Sequence, residues 1–583
     1  MNLNLFGRVS RIAAIGAILL ISAACIKINE ELGESFIPTE HRWDVFTPDA
    51  VELKNIRLQM ADSISGYNTS RFTFGAVKDD ISGISVRSTS FTLVPVRDTM
   101  DFGKEGTMKI KQFHFSAVRD TLSMVYDNEV GILQNVIVSE LKKPLDSTIL
   151  YMGAFSNPEV LNKYVDISNR ITDGIPVYSG GDSLSFDFSL EFAERFVQKL
   201  KKADMDSLDL FLNDLPGIFI TTDAPDFNGG RINMFDLNLE TNSYEMITGN
   251  YAELKFTAEY EHSDEPVDTS FIFFFGPGDF IKVDEDYQIT YPTQLALNTS
   301  THSTAEEYGN GGKVAEENIY VEGGSGVKPV VKAEEIKLIL EDMLGQAGIK
   351  NPSEVVINKA TIILPYDVDG DYNALEKYPP ILSPTVRLRS SEGGYVSYAG
   401  LTDSSISSEN QGNINRSTFM YCPDISHHVQ EILKLDRNAS DYSKKIDNYD
   451  IWFLIMHEEV ISEETDNSSY NDYYNNLLYS SYYNNMMYNP YGYGYGGYGG
   501  YGYGGYGGYG GYGGYGSYGY SSNYYNYMLM AQYASMSSSS SSDEEVSVEL
   551  DTDRYYKAIL NGPLSSGQKP SIKITFSAPK TAE

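Results

Sequence analysis

Leu184-Ser185-Phe186-Asp187-Phe188-Ser189-Leu190 places an apolar side chain at every second position. Period two is the spacing of a strand with one face in a core and the other in water; a helix would repeat every three to four residues. Comparable stretches follow at Phe91–Val96, Met108–Val118, Ile218–Thr222, Leu254–Tyr260, Phe271–Phe275, Val355–Leu364, Val386–Leu388 and Ile451–Met456. Clusters of Gly, Asn, Asp and Pro separate them, as turn chemistry requires. Phe91–Met100 and Phe113–Leu122 both contain Val-Arg-Asp-Thr, which reads as two sequential strands leaving into similar turns. Helical stripes are few. Ala333–Leu344 carries Ile336, Ile339, Leu340, Met343 and Leu344 on one face, with Gly345 as the expected stop. Glu191–Lys201 is a second helix, and a third starts near Ser426, an N-cap candidate. These patterns predict a mainly β fold of two antiparallel β-sandwich-like domains with a few short helices, spanning 44–300 and 301–583.

The composition excludes several functions. The chain has 583 residues and a formal charge of -36, from 44 Lys+Arg against 80 Asp+Glu. Such a surface repels phosphate, so neither nucleic acid nor an anionic lipid surface is an expected partner. Two cysteines support neither a disulfide framework nor a Cys-rich zinc site. Tyrosine is unevenly spread. Every position of 491–520 except Ser517 is Tyr or Gly, and 473–542 contains no charged residue or His. Glycine entropy and the lack of aliphatic residues forbid a packed core there. Residues 470–542 therefore read as a disordered low-complexity insertion in a hairpin between Ile451–Met456 and Tyr555–Leu560. Its regular aromatics suit a sticky surface loop; a tolerated repeat expansion is the plainer reading.

The first residues set the compartment. Arg8 and Arg11 precede an uncharged apolar run over Ile12–Leu20, too short to span a bilayer, and Ser22-Ala23-Ala24 leads into Cys25. This is similar to a bacterial lipoprotein signal over 1–24, with Cys25 becoming the lipidated first residue and 25–43 a tether. Ordinary cleavage near Ala24 is the alternative. Cys422, beside Phe419, Met420 and Tyr421, reads as a buried thiol.

Candidate chemistry is sparse. Asp367, Asp369, Asp371 and Glu376 alternate around Gly370, and hard carboxylate oxygens at a turn are what calcium takes. The spacing departs from the EF-hand loop, and a solvated loop is the competing reading. No other cofactor is expected. Adjacent His427 and His428 point about 100° apart on a helix and cannot readily share a metal. His457-Glu458-Glu459 lacks the second His of a zincin, and Gly323-Gly324-Ser325-Gly326 lacks the Lys-Ser/Thr of a P-loop. Nothing points to an enzyme.

Several motifs in order resemble the Bacteroidota lipoproteins grouped as domain of unknown function 4270. They are Leu32-Gly33-Glu34-Ser35-Phe36-Ile37-Pro38, Gly75–Gly83, Leu215-Pro216-Gly217-Ile218-Phe219-Ile220, and Ile319-Tyr320-Val321-Glu322-Gly323-Gly324-Ser325-Gly326 followed by Ile357-Asn358-Lys359-Ala360. The resemblance implies a lipid-anchored outer-membrane protein on the cell surface, with Glu30, Glu31 and Glu34 compatible with an acidic export signal. It also implies O-glycosylation at Asp-Ser/Thr-apolar triplets such as Asp62-Ser63-Ile64 and Asp206-Ser207-Leu208. The expected function is a non-enzymatic subunit of an outer-membrane protein complex, serving β-barrel assembly or transport; a glycan- or matrix-binding adhesin is the alternative.

Overall fold

The computed structural model describes residues 43–580 apart from 96–99, 121–131, 206, 238–239, 242–246, 264, 277–281, 284–288, 291–293, 310, 369–371, 390–394, 406–409 and 463–543. The fold is mainly β, and its sheets are antiparallel with a few short helices between them. No described helix is long and apolar enough to cross a membrane.

Phenylalanine builds the first unit. An eight-stranded sheet contributes Phe72, Phe91 and Phe235, and a five-stranded sheet contributes Phe115, Phe186 and Phe275. The two inner faces meet ring on ring, with Phe91 and Phe115 at 5.9 Å and Phe91 and Phe275 at 4.9 Å. Such pairs add about 0.5–1.5 kcal/mol each beyond the area they bury. Strand Ser183–Asp187 alternates as its sequence requires, with Leu184 and Phe186 inside. The alternation stops earlier than expected. Ser189 accepts a hydrogen bond from Phe192 N at 3.2 Å and caps helix Leu190–Leu200, so Leu190 is the first helical residue and half exposed. The cap places Phe192 and Phe196 against Phe113.

Aliphatic residues build the second unit. Its core joins strands Ile56–Met60, Val327–Val331, Val356–Pro365 and Ile451–Ser462 to the buried faces of helices Ala333–Gln346 and Ser426–Lys434. The first helix ends one turn-position later than Gly345. Gly348, at φ +72, takes the left-handed position, and Ile349 N bonds Leu344 O at 2.9 Å, closing a Schellman motif. The second helix is not capped by Ser426, whose hydroxyl instead accepts from Ala360 N. Asp403 caps it from another segment, accepting from His427 N at 2.6 Å and His428 N at 3.0 Å.

The expected boundary at 300 misplaces the first strands. Trp43–Phe46 and Val51–Glu52 pair with Ser571–Pro579, and Ile56–Met60 pairs with Val327–Val331. Leu53, Ile56 and Leu58 are fully buried in the aliphatic core. The Phe-rich unit, strands Tyr67–Asn68 to Ala296–His302, is therefore inserted into the aliphatic one. The hairpin around the Tyr/Gly segment also has a different second arm. Ile451–Ser462 pairs with Glu544–Leu550, from Met456 opposite Leu550 to Ser462 opposite Glu544, whereas Lys557–Asn561 pairs with Asn318–Glu322. Beyond Met456 no third strand joins among the described residues, so the two arms form a ribbon leading away from the sheet. Replacing 463–543 with an Asn-Gly turn keeps the fold. It raises the urea midpoint, because closing roughly 80 residues costs about 3 kcal/mol more than closing a two-residue turn. A lower midpoint would show that the segment holds the body together.

Candidate functional site: a buried ionic junction

The densest chemistry lies where the inserted unit meets its host. Strand Gly83–Phe91 supplies Ser85 and Arg87, and its neighbour Ala296–His302 supplies Ser300 and His302, opposite Arg87 and Ser85 respectively. The host supplies Glu322, the Gly323–Gly326 turn, Lys328, and the segment Asp551–Tyr555. All of the ionisable groups named are buried, and Arg87 is completely so.

Backbone geometry makes this possible. At Gly324, φ is +55, and an added Cβ would lie 2.1 Å from Arg87 Nη2. At Gly323 it would lie 2.2 Å from Arg554 O. Only glycine lets the turn close over the guanidinium. The same turn presents its carbonyls inward, and Lys328 Nζ donates to the oxygens of Glu322, Gly324 (2.8 Å) and Gly326 (3.2 Å). His302 Nδ1 lies 2.9 Å from Ser85 Oγ and 3.4 Å from Glu322 Oε2. Asp551 accepts from Arg554 Nη1 at 2.8 Å, with His457 Nδ1 at 3.5 Å. Asp553 accepts from Asn68 Nδ2 of the inserted unit at 3.0 Å, and Lys557 Nζ reaches Asp79 at 2.6 Å.

Burial dominates the electrostatics. It lowers Lys328 to about 7, with Glu322 opposing, and lowers His302 below its ordinary value. It also pulls Arg87 down against the fields of Tyr555, Asp553, Glu322 and Asp551, and pushes Tyr555 far up. Arg87 Nε and Nη2 make no hydrogen bond among the described residues. Its charge is therefore balanced through space by the surrounding carboxylates rather than by a bidentate pair. Perturbed groups of this kind often mark catalytic sites, but here they are packed on glycine backbone and neighbouring strands. The arrangement packs the two units closely against each other around the buried Arg87.

The residues singled out from sequence fall elsewhere. Cys25, Asp369 and Asp371 lie outside the described residues. Asp367 and Glu376 are both exposed, and among the described residues no three His, Cys, Asp or Glu side chains gather to hold a metal. His427 is exposed and His428 buried, as their helical spacing demands; His428 Nε2 bonds Tyr449 O at 2.8 Å. Cys422 is half-buried, and burial followed by Asp424 raises its thiol. Ser63 is buried and accepts from Arg387 Nη2 at 2.7 Å, which closes that triplet to a glycan. Ser207 caps the helix Leu208–Asp214. A recess lined by Leu93, Phe192, Phe196, Leu215 and Glu140 has its carboxylate held by Lys199 at 2.6 Å and Arg195 at 3.1 Å.

Sequence reading missed Arg87 because Ile84-Ser85-Val86-Arg87 looks like a strand with a wet polar face. The available signal was the Gly-Gly-Ser-Gly turn set between Glu322 and Lys328, which marks close backbone approach. The chain matches no protein-family model, no curated protein and no solved structure.

Two outcomes follow for stability. Arg87→Ala leaves buried carboxylates uncompensated and lowers the urea midpoint by about 3–5 kcal/mol equivalent, whereas Gly324→Ala costs about 1–3 kcal/mol through clash and strain. His428 gives the acid limb. Burial holds its folded form down to about 4, so the unfolded chain takes up a proton first as pH falls through 6.5. Stability is then lost progressively between 6.5 and 4, by an amount on the order of 3 kcal/mol. His428→Asn should reduce the slope of that limb in a urea titration at each pH, with the buried His302, also lowered, supplying what remains.

Proposed function

We propose that this chain is a non-enzymatic, lipid-anchored outer-membrane protein displayed at the cell surface, and that it acts as a subunit of an outer-membrane protein complex concerned with β-barrel assembly or transport. The Ser22-Ala23-Ala24-Cys25 leader supports the anchor, and the order of the lipoprotein-like motifs supports the compartment. One observation carries the choice of a binding role over catalysis. The densest cluster of ionisable groups, Arg87, Glu322, Lys328 and Asp551, is buried between two units, with the glycine turn packed directly on Arg87. Exposed sheet edges, such as strand Trp43–Phe46, are surfaces on which proteins dock.

An adhesin built on sandwich domains would present aromatics together on one face. Among the described residues, the exposed aromatics Trp43, Phe227 and Tyr372 instead sit on an edge strand, a loop and a short helical turn. That dispersal favours the complex-subunit reading.

Labelling with radioactive palmitate tests the anchor: the wild-type chain incorporates label and Cys25→Ala does not. Purification in mild detergent tests the partnership, and recovery of the chain as a lone monomer would overturn it.

A further inference from the structure

One sheet face stands apart from the acidic surface. Strands Trp43–Phe46, Ser571–Pro579 and Val356–Pro365 lie side by side, and residues opposite one another in antiparallel strands share a face. Phe46 and Phe576 stack at 5.2 Å on the inner face. On the outer face Trp43 lies opposite Pro579, Val45 and Val356 flank Ser577, Lys359 lies opposite Thr575, and Lys573 opposite Thr361. Trp43 is 48%, Val45 65% and Val356 46% exposed. The Lys359 side chain is 58% exposed, and Lys573 is exposed as well.

Two acids near this face are already engaged. Asp424 is buried, 3.5 Å from Lys359, and also accepts from Thr361 Oγ1 and Asn410 N, both at 3.0 Å. Glu52, at the far end, pairs with Lys569 at 3.3 Å. The face therefore combines exposed apolar side chains with outward lysines in a chain whose formal charge is -36. It is also where the chain outside the structure arrives. Residues 25–42 join Cys25 to Trp43, the first residue of the edge strand, and such a segment reaches at most about 60 Å fully extended.

We propose that this face is a contact surface for the anionic phosphate headgroups of a lipid bilayer. Trp43, Val45 and Val356 enter the interfacial zone, where an amphipathic indole is favoured, and Lys359 and Lys573 meet lipid phosphates. The anchor reading above supplies only the means of bringing the face to the bilayer. A short tether raises the local concentration of headgroups, so individually weak contacts suffice. The remaining acidic surface is repelled, which orients the body with this face toward the membrane.

Vesicles test the proposal without the lipid anchor. The mature chain carrying Cys25→Ser is mixed with vesicles of phosphatidylcholine alone or with phosphatidylglycerol added. The chain has two tryptophans, and the other, Trp452, is already buried, so a change in emission reports Trp43. The expected result is a blue shift and co-sedimentation with the anionic vesicles, both lost at about 1 M salt, where the screening length is about 3 Å. Lys359→Ala with Lys573→Ala weakens partition about 25-fold, about fivefold for each lysine. Lys359 also pairs with the buried Asp424, so Lys573→Ala alone is read beside the double variant, with partition weakened about fivefold and the urea midpoint unchanged. Absence of a blue shift, equal partition into zwitterionic and anionic vesicles, or equal partition of the double variant overturns the proposal. Palmitate labelling at Cys25 is read separately, so either idea can fail while the other stands.

Discussion

The pairing of the chain's first strands with its last part is the constraint on which the architecture rests. Strands Trp43–Phe46 and Val51–Glu52 add to Ser571–Pro579, while Ile56–Met60 completes the sheet of Val327–Val331. With Leu53, Ile56 and Leu58 committed to the aliphatic core, everything from Tyr67 to His302 must leave that core and return to it. The loop entropy of so long an excursion grows only logarithmically, so an entire second unit can be inserted at modest cost. Both passages of the chain cross the same region, and the buried ionic junction forms there.

That junction is specific more than it is stabilising. Removing charged groups from water is expensive, and a well-packed apolar interface of equal volume is often as stable. What ions add is intolerance of alternatives. Arg87 under the Gly324 turn and Asn68 on Asp553 meet their partners in one docking of the two units, while Lys328 is held on three carbonyl oxygens of the host. Small satellite contacts reinforce it, with Val77, Ile232 and Tyr555 packing together across the units and Met152 meeting Val330 and Trp452.

Local physics was legible in the residues. Period two located the strands at Ser183–Asp187, Lys109–Val118 and Tyr251–Ala258, and the helical stripe located Ala333–Gln346. Departures came where a second local signal competed. Ser189 and Leu190 continue the strand alternation and equally begin a capped helix, and the cap prevailed because Phe192 and Phe196 then reach the aromatic core. Ser426 looked like its own cap, yet Asp403 does that work from another part of the chain. The ribbon around the Tyr/Gly segment was recognised as a hairpin, but Glu544–Leu550 rather than Tyr555–Leu560 returns. Alternating apolar residues mark a strand without naming its partner.

Sequence alone determined the mainly β character, the positions of the leading helices, the acidic balance and the chemically empty Tyr/Gly insertion, because each depends on side chains within a few residues of one another. Tertiary structure decided which strands pair, that one unit is inserted in the other, and that Arg87, Glu322, Lys328 and Asp551 share one interior. Those outcomes depend on contacts between residues hundreds of positions apart. Burial turns a lysine or arginine that reads as solvent-facing into a structural ion, and burial is a property of the assembled fold.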